Sequence, residues 1–184
     1  MYLEAMKINE GTGEYKEIRY VLFKKGLNAV VDDTMTGGET DGKGNNVGKT
    51  TFLKLIDICL GAKDKKYIWT DYDTGSETTA LKHYISAKKV FAELDIKNQR
   101  GDIYSLRVDL YDRGKRYING KPFSYDDYVD ELNRIVFDVK TPTPTFRQLI
   151  GKFGRMARVS KPAVWGPMVF RLFGAREGRC QFLG

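Results

Sequence analysis

The sequence predicts an α/β fold with a mixed sheet and an antiparallel β subdomain. Three observations predict it. Short apolar runs separated by turn signals fill the N-terminal third; a glycine-rich polar stretch then leads into a helix that is apolar almost all round; later alternating runs are followed by two helices with capping signatures. With 184 residues, the chain fits one ordinary domain or a fragment of something larger. A domain of that size removes roughly 70% of its unfolded surface from water.

In order, Met1–Ile8, Ile18–Phe23 and Leu27–Val31 read as strands, divided by Gly11-Thr12-Gly13 and Lys24-Lys25-Gly26. From Asp32 to Gly48 the chain is polar, with glycines at 37, 38, 42, 44 and 48. Lys49–Leu60 then offers helix formers and stops at Gly61, suited to a left-handed C-cap. Its residues Phe52, Leu53, Leu55, Ile56, Ile58 and Leu60 cover most of the circumference, so this helix is expected to be buried. Val90–Ile96 and Tyr104–Tyr111 read as strands, and Lys115–Ile118 as a strand entering a tight Asn119-Gly120 turn. Ser124 opens a helix to about Phe137, with Asp127 three residues on as an acidic capping box. A stiff Thr141-Pro142-Thr143-Pro144 connector precedes a helix over Thr145–Met156, with Thr145 and Gln148 at capping-box spacing. Beyond Ser160 no periodicity is legible.

Composition narrows the function. Hydrophobic residues make up 41% and aromatics 12%, which excludes wholesale disorder, and no apolar run approaches the roughly 18 residues of a membrane span. The start lacks the pattern of a signal peptide. Cys59 and Cys180 form neither a disulfide framework nor a zinc spacing, so a reducing cytoplasm is the expected location. His83, the one histidine, leaves little room for histidine-based metal or triad chemistry. The net charge is +7, and residues 141–184 supply all of it, with eight basic residues against the single acid Glu177. Such a segment suits a polyanionic partner or a phosphate-bearing ligand, or else forms a solvated face.

Chemistry concentrates in Gly44-Asn45-Asn46-Val47-Gly48-Lys49-Thr50-Thr51, between an apolar strand and a buried helix. In that setting successive backbone N–H groups cradle phosphate oxygens, and the helix N-terminus adds partial positive charge. Gly48 allows close approach, Lys49 reaches the β- and γ-phosphates, and the Thr50 hydroxyl can ligate Mg²⁺. One feature departs from G-x-x-x-x-G-K-[ST]. The first glycine would fall on Lys43, flanked by Gly42 and Gly44.

These residues resemble a family. Gly26-Leu27-Asn28-Ala29-Val30-Val31 with Asn45-Asn46-Val47-Gly48-Lys49-Thr50-Thr51-Phe52-Leu53 looks like the opening of SMC/RecN/RecF-type ATPases. Arg116-Tyr117-Ile118-Asn119-Gly120-Lys121-Pro122, then Tyr128 and Leu132, is similar to a turn and helix on the antiparallel sheet of those heads. Pro144 through Arg155 looks like a segment of an uncharacterised bacterial SMC-like subgroup. The resemblance implies a P-loop NTPase N-lobe of ABC/SMC type over residues 1–158, followed by an irregular basic segment over 159–184. It implies ATP and Mg²⁺ as ligands, Lys49 and Thr50 in the roles above, and Gln148 as a further ligand of Mg²⁺ or of the attacking water. Gln148 could instead simply close a capping box. Arg19 could approach the nucleotide or lie on the surface. The whole protein would pair its heads as a homodimer and act on DNA in repair, chromosome maintenance or phage defence, in the cytoplasm or at the nucleoid.

The parts needed for hydrolysis are not found. Ile135-Val136-Phe137-Asp138 imitates a Walker B strand, but Arg134 precedes it, Val139 stands where glutamate should, and it ends a predicted helix. There is no L-S-G-G signature and no heptad array. The chain is therefore expected to be the N-terminal half of a head, binding ATP without turning it over. Two other readings stand beside this one. A small self-contained P-loop NTPase would need the missing carboxylate. A non-catalytic DNA-binding or assembly module would use the late helix, where Phe146, Leu149, Ile150 and Phe153 form a core face and Gln148, Lys152 and Arg155 line the other side.

Overall fold

The computed structural model describes residues 1–13, 15–30, 49–70, 74–141, 143–153, 155–157 and 168–171. Strands β1 (Tyr2–Glu10), β2 (Lys16–Leu22) and β3 (Leu27–Val30) come first, then helix α1 (Lys49–Cys59). A short 3-10 turn (Lys66–Ile68) and helix α2 (Thr79–Ala87) lead to strands β4 (Phe91–Lys97), β5 (Ile103–Asp109), β6 (Arg116–Ile118) and β7 (Lys121–Phe123). Helices α3 (Tyr125–Phe137) and α4 (Phe146–Phe153) follow, with strands β8 (Arg155–Ala157) and β9 (Met168–Arg171) last. The protein is mixed α/β, as the sequence predicts.

Six strands form one antiparallel sheet in the order β2-β1-β4-β5-β6-β7. Its register separates two faces. Val21, Met6, Leu94, Leu106 and Ile118 lie in one row across β2, β1, β4, β5 and β6, and the last four of these are buried. One residue along, Tyr20, Lys7, Glu93, Arg107 and Tyr117 make a row on the opposite face, with Lys7 3.6 Å from Glu93 and 3.3 Å from Asp95. Side chains alternate along each strand, so one residue of slip would exchange the two rows. The apolar face carries the core: α1 packs on β4 and β5, α3 on β6, and α4 on α3.

All strand pairings among the described residues are antiparallel, so the parallel component of the expected mixed sheet is not found there. The central pairing shows why. Helix α2 ends against the far end of β1, where the Gly11 N–H donates to the Lys88 carbonyl at 3.0 Å, and Lys89 turns with φ 50°. The chain therefore enters β4 beside the exit of β1 and runs back along it.

Local signals explain the connections. Asn119 (φ 49°) and Gly120 (φ 78°) both take positive φ in the β6–β7 turn, the combination a two-residue hairpin favours. Between β4 and β5 the Asn98 carboxamide oxygen accepts from the Arg100 and Asp102 N–H groups, both at 2.9 Å. Ser124 caps α3 by accepting from the Asp127 N–H at 3.2 Å, and Asp138 ends that helix in left-handed conformation. Gly61 follows α1 with φ 87°.

Two expectations are corrected. The late helix stops at Phe153 instead of reaching Met156, because residues 155–157 pair with β9 as a strand. The region past Ser160, without legible periodicity, contains β9, which pairs with both β3 and β8. A four-residue strand has too little length to declare a period.

Two glycines separate backbone strain from crowding. A Cβ on Gly120 meets nothing within 4 Å, so Gly120→Ala should cost about 1 kcal/mol from its positive φ alone. On Gly114 a Cβ would lie 2.6 Å from the Asp109 Cβ and 2.7 and 2.8 Å from the Asp109 and Tyr111 carbonyl oxygens. Gly114→Ala should therefore cost more than Gly120→Ala, a ranking that urea denaturation of the two variants checks.

Candidate phosphate-binding helix and its anchoring

Helix α1 begins at Lys49, so the Gly48-Lys49-Thr50-Thr51 segment meets a helix N-terminus, where the first N–H groups have no partner within the helix. Gly44, Asn45, Asn46, Val47 and Gly48 lie outside the described residues, as does the Lys49 side chain. Thr50 and Thr51 are half-buried in the first turn. Behind them Phe52 packs on Phe23 at the end of β2, with ring centroids 6.2 Å apart. The first turn is partly open, whereas the last two turns are buried through Leu55, Ile56, Ile58 and Cys59.

The buried end is held by side chains from four places. Arg116 of β6, only 4% exposed, donates to the carbonyls of Ile58 (2.8 Å) and Ala62 (2.7 Å). The Tyr128 hydroxyl of α3 donates to the Cys59 carbonyl at 2.6 Å, and the Tyr125 hydroxyl to that of Gly61 at 3.1 Å. Arg147 of α4 makes a two-pronged contact with Asp57, at 2.5 and 3.3 Å. Carbonyls at a helix C-terminus have no intrahelical partner and carry partial negative charge, so hydroxyl and guanidinium donors suit them. The Tyr125 and Tyr128 rings lie 5.3 and 5.4 Å from the Arg116 guanidinium, a stacked environment that tolerates a buried arginine.

Burial sets the electrostatics here. It pulls the Arg116 guanidinium below its usual value, pushes the Cys59 thiol up to about 12, and pushes the Tyr128 hydroxyl well above the ordinary range. Cys59 is therefore a packing residue and not a nucleophile at neutral pH. Beside them, Lys65 ties the segment after α1 to the β5–β6 connection through the carbonyls of Asp109 (2.6 Å) and Gly114 (2.8 Å). Burial first, then repulsion from Arg116, lowers Lys65 to about 8. Asp109, 2% exposed, accepts from Arg107, from the hydroxyls of Tyr111 (3.0 Å) and Tyr117 (3.4 Å), and from the Lys115 N–H.

The other candidate residues lie apart from the first turn of α1. The Gln148 carboxamide oxygen accepts from the Thr145 N–H at 2.9 Å, and the Thr145 hydroxyl accepts from the Gln148 N–H at 3.3 Å, a complete reciprocal capping box. Its neighbour Arg147 is bound to Asp57, seven residues past Thr50 and so about 10 Å along the α1 axis. This arrangement gives Gln148 a capping role and leaves Thr50 as the metal candidate. Arg19 is exposed on β2, and His83 is exposed on α2. Asp138 caps α3 and binds Arg100 at 2.9 Å, as its rejection as a Walker B carboxylate requires. Arg155 lies in β8, so it does not extend a basic stripe along α4.

Sequence reasoning singled out Arg116 and Tyr128 only as parts of a motif and gave them no role. A lone arginine between Lys115 and Tyr117 reads as an ordinary strand position until the sheet places it under α1. No protein-family model matches the chain, and no curated protein matches it. What the structure defines is a mixed α/β protein on a six-stranded antiparallel sheet, and no helix among the described residues is long and apolar enough to cross a membrane.

Removing Arg116 strands two buried carbonyls. Arg116→Met should destabilise by about 2–4 kcal/mol, against less than about 1 kcal/mol for Arg147→Ala, whose ion pair is half-exposed; urea denaturation measures both. Lys65 predicts a pH signature. Unfolded, it holds its proton to about 10.5, but folded only to about 8, so the unfolded chain binds more protons between those values and stability rises with pH there. The denaturation midpoint of the wild type, referenced to Lys65→Met, should climb across that window and stay level below it.

Proposed function

We propose that this chain is the ATP-binding lobe of an SMC/RecN-like ATPase that serves DNA repair, chromosome maintenance or phage defence, and that alone it binds ATP without hydrolysing it. The observation that carries the reading is the coincidence of Gly48-Lys49-Thr50-Thr51 with the start of α1, a helix that follows β3 and is immobilised at its opposite end. Helix N-termini of this kind attract phosphate through free N–H groups and the aligned peptide dipoles. Lys49 would place its ammonium on the β- and γ-phosphates, and Thr50 would give its hydroxyl to Mg²⁺, which neutralises charge on the phosphate chain. The half-buried Thr50, in a partly open first turn, fits that task; Gln148, occupied with Thr145, is not needed for it.

Binding without turnover follows from the residues present. No carboxylate follows an apolar strand in the way that positions and polarises an attacking water, and Asp138 serves as a helix cap. Clamping the far end of α1 to β6, α3 and α4 favours affinity, because the N–H groups are held in place before the ligand arrives.

Calorimetric titration of the full chain with Mg-ATP tests the proposal. The wild type should bind, and Lys49→Ala should bind about 10- to 100-fold more weakly, the equivalent of losing about 1.5–3 kcal/mol of charge-assisted hydrogen bonding. Equal affinities, or no binding by the wild type, would overturn the reading. Lys49-dependent hydrolysis by the pure chain would overturn the second half of it.

A further inference from the structure

The two edges of the six-stranded sheet differ. β7 is three residues long and contains Pro122, which cannot donate to a further strand. β2 is seven residues long, and among the described residues it pairs only with β1. Four of the seven exposed large hydrophobic residues lie on it or at its start: Tyr15 (69%), Ile18 (44%), Tyr20 (46%) and Leu22 (66%). That concentration at an edge is a template for another strand.

The orientation of its backbone can be read from one bond. The Phe23 N–H donates to the Glu4 carbonyl at 3.0 Å, in step with the pairings Ala5–Leu22, Met6–Val21 and Lys7–Tyr20. In an antiparallel ladder hydrogen-bonded pairs alternate with non-bonded ones. Phe23 and Val21 therefore face β1, and the N–H and C=O groups of Tyr20 and Leu22 face away from the sheet.

Charge then selects a register. Outward-facing residues must pair with outward-facing residues, so a second copy of β2 can meet the first only with its two-fold axis at residue 19, 20, 21 or 22. An axis at Arg19 sets two arginines opposite each other; at Tyr20 it sets Lys16 opposite Lys24; at Leu22 it sets Arg19 opposite Lys25. Like charges directly opposite are destabilising. An axis at Val21 sets no like charges opposite. It pairs Tyr20 with Leu22 twice, Arg19 with Phe23, and Glu17 with Lys25. The register shift that leaves Ile18 as an extra residue opposite β1 disrupts regular pairing beyond that point and keeps the contact short.

We propose that β2 is a homodimer interface, in which two copies of the chain join antiparallel about Val21 and the two sheets continue into one. This contact does not depend on nucleotide and does not rest on the ATP-binding proposal. The interface is small, so the dimer is weak and concentration-dependent.

Sedimentation velocity of the full chain over a range of concentrations tests it, without nucleotide. The wild type should show a monomer–dimer equilibrium, and Lys49→Ala should show the same one. Leu22→Lys, at a position two-thirds exposed, should weaken association by about tenfold. Glu17→Lys should also weaken it, and adding Lys25→Glu should restore it, because the opposed charges are only exchanged. A monomer at every concentration overturns the proposal, as does a dimer indifferent to Leu22→Lys or one that requires Mg-ATP. If Leu22→Lys fails to fold by circular dichroism, the charge exchange decides alone: recovery in the double variant supports the interface, and no recovery overturns it.

Discussion

The position of α1 depends on a buried arginine set against the carbonyl end of a helix. Arg116 is surrounded by Ile58, Ala62, Tyr125 and Tyr128, and its charge is answered by carbonyl oxygens and aromatic faces. A guanidinium out of water is costly unless its donors find partners. Here two of its nitrogens reach carbonyls that the geometry of an α-helix leaves without partners of their own. Both needs are met at one place. Sheet, α1 and α3 can satisfy them only in this relative position.

That constraint passes directly to the start of α1. A helix is stiff over eleven residues, so fixing Cys59 and Ile58 also fixes the direction in which Lys49 and Thr50 face. The rest of the anchoring is layered by burial. Arg116 and Tyr128 are dry and specific, whereas Asp57 and Arg147 remain half in solvent and add alignment more than stability. Lys65 and Asp109 tie the next stretch of chain to the β5–β6 connection, on the same side of the fold. Polar groups near α1 thus act mainly as scaffolding, and the chemistry proposed for the protein is concentrated at the end of the helix they leave free.

The sheet divides its labour between faces and edges. Its apolar face supports the helices, and its outer face is covered by a row of alternating charge, Lys7, Glu93 and Arg107, that suits water. Its edges are not equivalent, because proline protects one and the other presents tyrosine and leucine. Such asymmetry directs any sheet extension to a single side.

Much of this was legible in the residues. β1 to β6, α1 and α3 follow from apolar periodicity, from Asn119-Gly120 and from the Ser124 cap, all of which act within a few residues of chain. The reciprocal capping of Thr145 and Gln148 was equally open to spacing. The phosphate-binding candidate was readable for the same reason, since Gly48, Lys49 and Thr50 are consecutive. Helix α2 and the strands β8 and β9 carry too weak or too short a pattern to announce themselves. The role of Arg116 could not be read at all, because its partners are more than fifty residues away in sequence. Local chemistry determined the elements and the candidate loop. Only tertiary packing decided which carbonyls a buried arginine meets, and so which end of α1 is locked and which is free.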